Sequence, residues 1–143
     1  MPMPLEIAHA SEVYETTLLA LKDDLDLTTR NQTYTVLEAV LVVFRRRLSA
    51  AEILRFAGLL PPVARAIFVA GWDEHEGKEV FGCREDWTRE VKGLRQHHNF
   101  APDDAIRVVV ATLRRHMDEA ALDQLLGQLP DGAVDYWSAT FVS

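Results

Sequence analysis

The sequence predicts an all-α fold: a compact bundle of about eight helices, built from two tandem copies of one helical unit related by a pseudo-two-fold. Three observations carry this. Gly and Pro are scarce, 7 and 6 of 143 residues, while Leu, Ala, Arg and Glu are abundant, a mix that favours helix over strand. Apolar residues recur at three- and four-residue spacing along most of the chain. One register also repeats at an offset of 69 positions.

The elements follow in order. Residues 1–10 read as an N-terminal tail, and Ser11 as the cap of a first helix whose stripe is Tyr14, Leu18, Leu21 and Leu25. After the polar turn from Asp26 to Asn31, Thr28 or Thr29 caps a second helix. Its stripe, Leu37, Val40, Leu41, Phe44 and Leu48, is supplemented by Val42 and Val43, so this helix is expected at the centre. Ser49-Ala50-Ala51-Glu52 is a capping-box pattern opening a third helix that stops at Leu60-Pro61-Pro62. Pro62 then suits the first turn of a short fourth helix, Val63 to Val69, ended by Gly71.

The stretch from Trp72 to Gly82 is acidic, has no clear period and reads as a connector. Trp87, Val91 and Leu94 mark a fifth helix, closed by Asn99. Ala101-Pro102-Asp103-Asp104 opens a sixth, with Ile106, Val109, Val110 and Leu113 inward. Asp118 caps a seventh (Leu122, Leu125, Leu126, Leu129) that ends at Pro130. Asp131 is the expected cap of the last, with Val134, Trp137 and Phe141 inward.

At the 69-residue offset Gly58, Leu60 and Pro61 fall on Gly127, Leu129 and Pro130. Arg45 and Arg46 fall on Arg114 and Arg115, and Phe68 falls on Trp137. The register is ungapped from Tyr34/Asp103 to Phe68/Trp137, and needs one extra turn in the first copy upstream. Two copies are too few for an open solenoid, because each must bury its apolar face on the other. The expected organisation is therefore one domain over 11–143: repeat one 11–70, acidic connector 71–83 and repeat two 84–141.

Composition narrows the function classes. A net charge of −7 and a pI near 5.2 argue against non-specific affinity for nucleic acid or anionic lipid. Arg45-Arg46-Arg47 and Arg114-Arg115-His116 sit at helix ends, where cations offset the negative end of the dipole, and read as solvated caps. No apolar run reaches the roughly 18 residues of a membrane span. The single Cys83 forms no internal disulfide and fits a reducing compartment, and no signal-peptide pattern opens the chain, so a cytoplasmic location is expected.

Several stretches are similar to a known bacterial family. The run Ala66 to Asp73, the acidic connector, Trp87 to Val91, Ala105 to Leu113 and Gln128-Leu129-Pro130 resemble domain of unknown function 2267. Leu27-(x)2-Arg30, Ala39-Val40-Leu41 and Arg47-Leu48-Ser49 resemble its opening pattern. The resemblance spans about residues 11 to 138. It implies a tyrosine where this chain has Phe68 and a phenylalanine where it has Trp87. It also implies an all-helical bacterial cytoplasmic protein, and it carries over no catalytic residue.

Chemistry-bearing residues are few. Asp73, Glu74, His75 and Glu76 are the densest hard ligands, but neighbouring side chains in a loop diverge, whereas a metal needs converging donors. His97 and His98 point about 100° apart on a helix, and His98 reads as a core-edge histidine. Cys83, near the start of the fifth helix, should have its thiol pKa lowered by the dipole. Trp72, Trp87 and Trp137 are interface anchors if exposed and junction packing if not.

The reading that follows is a protein-interaction or accessory domain with no cofactor, an unknown protein partner or a homodimer being possible. The alternative is a metal- or small-ligand-binding protein or enzyme that uses Asp73, Glu74, His75 and His98 in the cleft between repeats.

Overall fold

A computed structural model of the chain describes residues 4–95 and 97–140, which hold eight helices and no strand. They are α1 (Leu5–Asp24), α2 (Arg30–Arg45), α3 (Ala50–Ala57), α4 (Pro62–Val69), α5 (Arg84–Gly93), α6 (Ala105–Arg114), α7 (Glu119–Leu126) and α8 (Ala133–Tyr136). The fold class is all-α, as the composition and periodicity predict.

Local chemistry sets most of the starts. Thr29 and Gln32 form a reciprocal capping box on α2, and Ser49 and Glu52 form another on α3, each satisfying two amides that no helical carbonyl reaches. Pro62 occupies the first turn of α4. The Asp118 carboxylate accepts the Ala121 amide at the start of α7. Gly71 ends the α4 region in the left-handed region, φ +70, which costs a residue without Cβ little.

α2 is the central element and packs against α1, α4, α5 and α6; α1 also covers α4 and α6. Val36, Leu37, Val40, Leu41, Val43 and Phe44 of α2 are all buried. They meet Leu21 of α1, Val109 and Leu113 of α6 and a set of rings from six places in the chain in one core. Those rings are Phe44, Phe56, Phe68, Phe81, Trp87, Tyr136 and Trp137, with centroids 4.8–6.0 Å apart at mostly tilted or edge-on angles.

Four expectations need correction. α1 begins at Leu5 after Pro4, not at Ser11, so residues 5–10 are helix rather than tail. Leu, Glu and Ala there are good helix formers, but the turns bury little and so left no apolar period to read. α5 stops at Gly93, because the chain turns left-handed at Arg95 (φ +51); Asn99 closes it from a distance by donating to the Val91 and Leu94 carbonyls. α6 begins at Ala105, after the Pro102 turn, with Asp104 at its cap position.

α8 is capped by Gly132, not Asp131, and its four residues turn Tyr136 and Trp137 inward and leave Val134 exposed. Phe141 lies outside the described residues.

Helix ends also fall on the 69-residue offset. α3 and α7 begin and end in step, Ala50–Ala57 against Glu119–Leu126, and α2 and α6 both end at the matched Arg45 and Arg114.

Candidate functional site

The connector runs across the C-terminal end of α2, and the three arginines there hold it. Arg45 is buried, and its Nη1 donates to the carbonyls of Phe68 (2.9 Å) and Ala70 (3.3 Å), tying the end of α4 to α2. Its Nη2 lies 4.0 Å from the Glu76 carboxylate. Burial lowers the Arg45 pKa, and Glu76 acts against that shift. The Arg46 carbonyl accepts the Glu79 amide at 2.9 Å.

Arg47 is 3% exposed. Its Nε donates to the Phe81 carbonyl (3.0 Å), and its Nη1 to the Val43 carbonyl (2.8 Å) and to Glu90 of α5 (2.7 Å). The expectation that this cluster is solvated is therefore overturned for two of its three members. A guanidinium presents five donors in a fixed fork, and a helix end offers carbonyls without helical partners. Arg45 and Arg47 use that match to fasten three segments to α2.

Phe81 is the point at which the connector enters the core. Its ring lies edge-on to Phe44 and Trp87, 6.0 Å from each centroid. Its carbonyl accepts from both Arg47 Nε and Trp87 Nε1. Gly132 forms the far wall: at φ +104 it is left-handed, and a Cβ there would lie 2.8 Å from Phe81 Cβ and Cγ. Only glycine satisfies both demands. Tyr136 is buried behind this socket and donates to the Val40 carbonyl at 2.6 Å, and burial pushes its phenol far above the ordinary tyrosine range. Beside the socket an open groove of about 700 Å³ is lined by Arg47, Lys78, Val80, Asp86, Arg89 and Glu90 among others.

The residues singled out from sequence are placed as follows. Trp87 is 2% exposed and Trp137 is fully buried, so neither is a surface anchor; Trp72 is partly buried against the core. Asp73 is spent on a local turn, its Oδ1 accepting the His75 amide at 2.9 Å and its carbonyl accepting the Glu76 amide. Glu74 and His75 are exposed and lie 3.6 Å apart. His98 is exposed, not core-edge, because α5 ends before it. It lines a separate cavity of about 420 Å³ with Tyr34, Arg95 and Phe100. Among the described residues no three His, Cys, Asp or Glu side chains gather where they could hold a metal ion.

Cys83 is exposed at the cap of α5. The backbone hydrogen bond involving Asp86 lowers its pKa, but hydrogen bonding to the Glu85 and Asp86 carboxylates raises it, and the net direction is up. Neighbouring negative charge disfavours a thiolate more than the helix start favours it.

Arg45, Arg47, Phe81, Gly132 and Tyr136 were not singled out as site residues from sequence. One usable signal existed: Phe81 is the only Phe, Trp or Tyr between Trp72 and Trp87, in a connector whose other residues, Val80 aside, are mostly charged or small.

The sequence profile of the family described as "Uncharacterized conserved protein (DUF2267)" matches residues 14–136. The chain belongs to that family. No curated protein matches it. The DUF2267 match takes in Arg45, Arg47, Phe81, Trp87, Gly132 and Tyr136, so every part of the connector's attachment lies inside the family domain. Among the described residues of this DUF2267 chain no helix is long and apolar enough to cross a membrane.

Proposed function

We propose that this chain is a non-catalytic protein-interaction or accessory domain of the bacterial cytoplasm, formed from two tandem copies of a helical unit (11–70 and 84–141) joined by the connector 71–83. The direction of the junction's buried polar groups carries the reading. Arg45, Arg47, Trp87 and Tyr136 all donate to main-chain carbonyls of this chain. A reaction centre needs donors and titratable groups aimed at the place a substrate would occupy. Apart from Arg45 Nε, which is buried without a partner, these donors join elements of the chain, and the part of the junction facing solvent is the connector's exposed side chains and the groove beside Phe81.

The duplication is supported by one paired contact besides the matched helix ends. Arg45 donates to the Phe68 carbonyl, and Arg114 donates to the Trp137 carbonyl at 2.8 Å, so donor and acceptor are both displaced by 69 residues.

The test uses untagged full-length protein purified from a bacterium that makes it, examined by metal analysis and native mass spectrometry. The expected result is a defined complex with a second polypeptide and no stoichiometric metal. Stoichiometric Zn, Fe or Mn, or a small molecule that survives desalting, overturns the reading.

A further inference from the structure

The connector is attached to the bundle at few points. Residues 73–80 are all exposed, and Val80 is 89% exposed. Glycines in the left-handed region stand at both ends, Gly71 at φ +70 and Gly82 at φ +69. Between them the attachments are Trp72 partly buried against the core, Glu76 beside Arg45, Lys78 3.7 Å from Glu52, the Glu79 amide on the Arg46 carbonyl, and Phe81 in its socket. Phe81 alone among residues 73–82 is buried.

We propose that the connector is a displaceable strap, and that its socket also receives an extended segment of a partner protein carrying an aromatic residue with an acidic residue five positions before it. The proposal rests on the interaction reading for the existence of a partner. The chemistry of the occupant is read from the occupant in place. A ring enters between Phe44 and Trp87 against Gly132, its carbonyl takes two N–H donors, and a carboxylate five residues earlier faces Arg45.

Part of the socket is anchored outside the strap: Arg47 is held by the Val43 carbonyl and Glu90, and the Trp87 ring lies against Tyr136 as well as against Phe81. The two glycines lie where backbone rotation costs least. The adjoining groove has the strap's own residues 78–82 as one wall and Arg47, Asp86, Arg89 and Glu90 as the other, so it widens into a channel as the strap lifts. Main-chain hydrogen bonds plus one side-chain pocket is a recurring way to bind an extended peptide.

The experiment uses the full-length Phe81→Ala variant, shown folded by circular dichroism and urea titration, and a fluorescent peptide of Glu76 to Arg84 with Cys83→Ser. Saturable binding to the variant is expected by fluorescence polarisation, with binding to wild type about tenfold or more weaker because the strap competes. Loss of binding is expected when the peptide's own Phe81 is alanine. A folded variant that ignores the peptide, or equal binding to both proteins, overturns the proposal.

Where the variant does not fold, hydrogen exchange of the wild-type Trp87 indole N–H and Glu79 amide decides. Exchange through a denaturant-independent opening, about tenfold or more faster than the α2 amides, supports the strap; exchange only with global unfolding removes it. A co-purifying partner with no peptide binding removes the socket and leaves the interaction reading standing. Peptide binding with a stoichiometric metal does the opposite.

Discussion

The adjacent residues Arg46 and Arg47 separate two accounts of the α2 terminus. If they were solvated caps, replacing either by Met would remove the same dipole interaction, about 0.3–1 kcal/mol. The structure makes them unequal. Arg47→Met strips the Val43 carbonyl of its donor; the amides in reach are committed elsewhere, Arg46 to Val42, Arg47 to Phe44 and Leu48 to Arg45. A buried carbonyl left without a partner costs about 1–3 kcal/mol.

The Phe81 carbonyl keeps Trp87, so its loss is partial. Glu90 has a side chain 30% exposed and regains water, which holds the ion-pair term to about 1 kcal/mol. The methionine stem retains most of the arginine's packing. The expected destabilisation is about 3 kcal/mol. The Arg46 side chain is half-buried, and its carbonyl rather than its guanidinium carries the strap. Arg46→Met should therefore stay within about 0.5 kcal/mol of wild type. Urea unfolding followed by circular dichroism, with m unchanged, measures both. Equal losses, or an Arg47→Met cost below about 1 kcal/mol, refute the assignment.

Gly132→Ala should cost about 3 kcal/mol, combining a disfavoured φ of +104 with a Cβ 2.8 Å from Phe81; a urea midpoint near wild type would show that the wall of the socket yields. Tyr136→Phe should cost about 1 kcal/mol at neutral pH, since the Val40 carbonyl loses one donor. It should also alter the alkaline limb. The folded phenol titrates far above the unfolded one near pH 10, so its stabilisation is complete below pH 10 and is lost as pH rises. Wild type should lose about 1.4 kcal/mol per pH unit above pH 10 that the Phe variant does not, and parallel pH–stability curves would count against the burial of Tyr136.

The parts legible in the sequence are those whose causes are local. The α2 stripe, a cap at Thr28 or Thr29, the box at Ser49, the Asp118 cap and the Pro62 start each rest on side chains within one turn of the residue they serve. The two ends of the chain were harder, for opposite reasons. Residues 5–10 form helix without burying a stripe, while the phase of α8 is set by the left-handed Gly132 rather than by any apolar period.

The site was the least legible part. An arginine at a helix end looks the same whether its fork meets water or the carbonyls of a segment 34 residues away, as Arg47 does. The offset that aligns Arg45 with Arg114 also aligns Phe68 with Trp137, so the pairing was present in the sequence. Its meaning required the acceptors. At Asp73, Glu74 and His75 the contacts are local ones, an Asp73 turn and a Glu74–His75 approach, of the short range that sequence neighbours dictate.

The clamp on Phe81 divides the connector into an elastic spacer and an inelastic one. Upstream, between residues 73 and 76, extra residues would only enlarge an exposed loop, at about 0.6 kcal/mol for each doubling of its length. Downstream, the Phe81 carbonyl must reach Trp87 Nε1 across Gly82 and the Cys83 cap, and one inserted residue breaks that reach. Insertions and deletions should therefore accumulate before Glu76 and cease between Phe81 and Trp87.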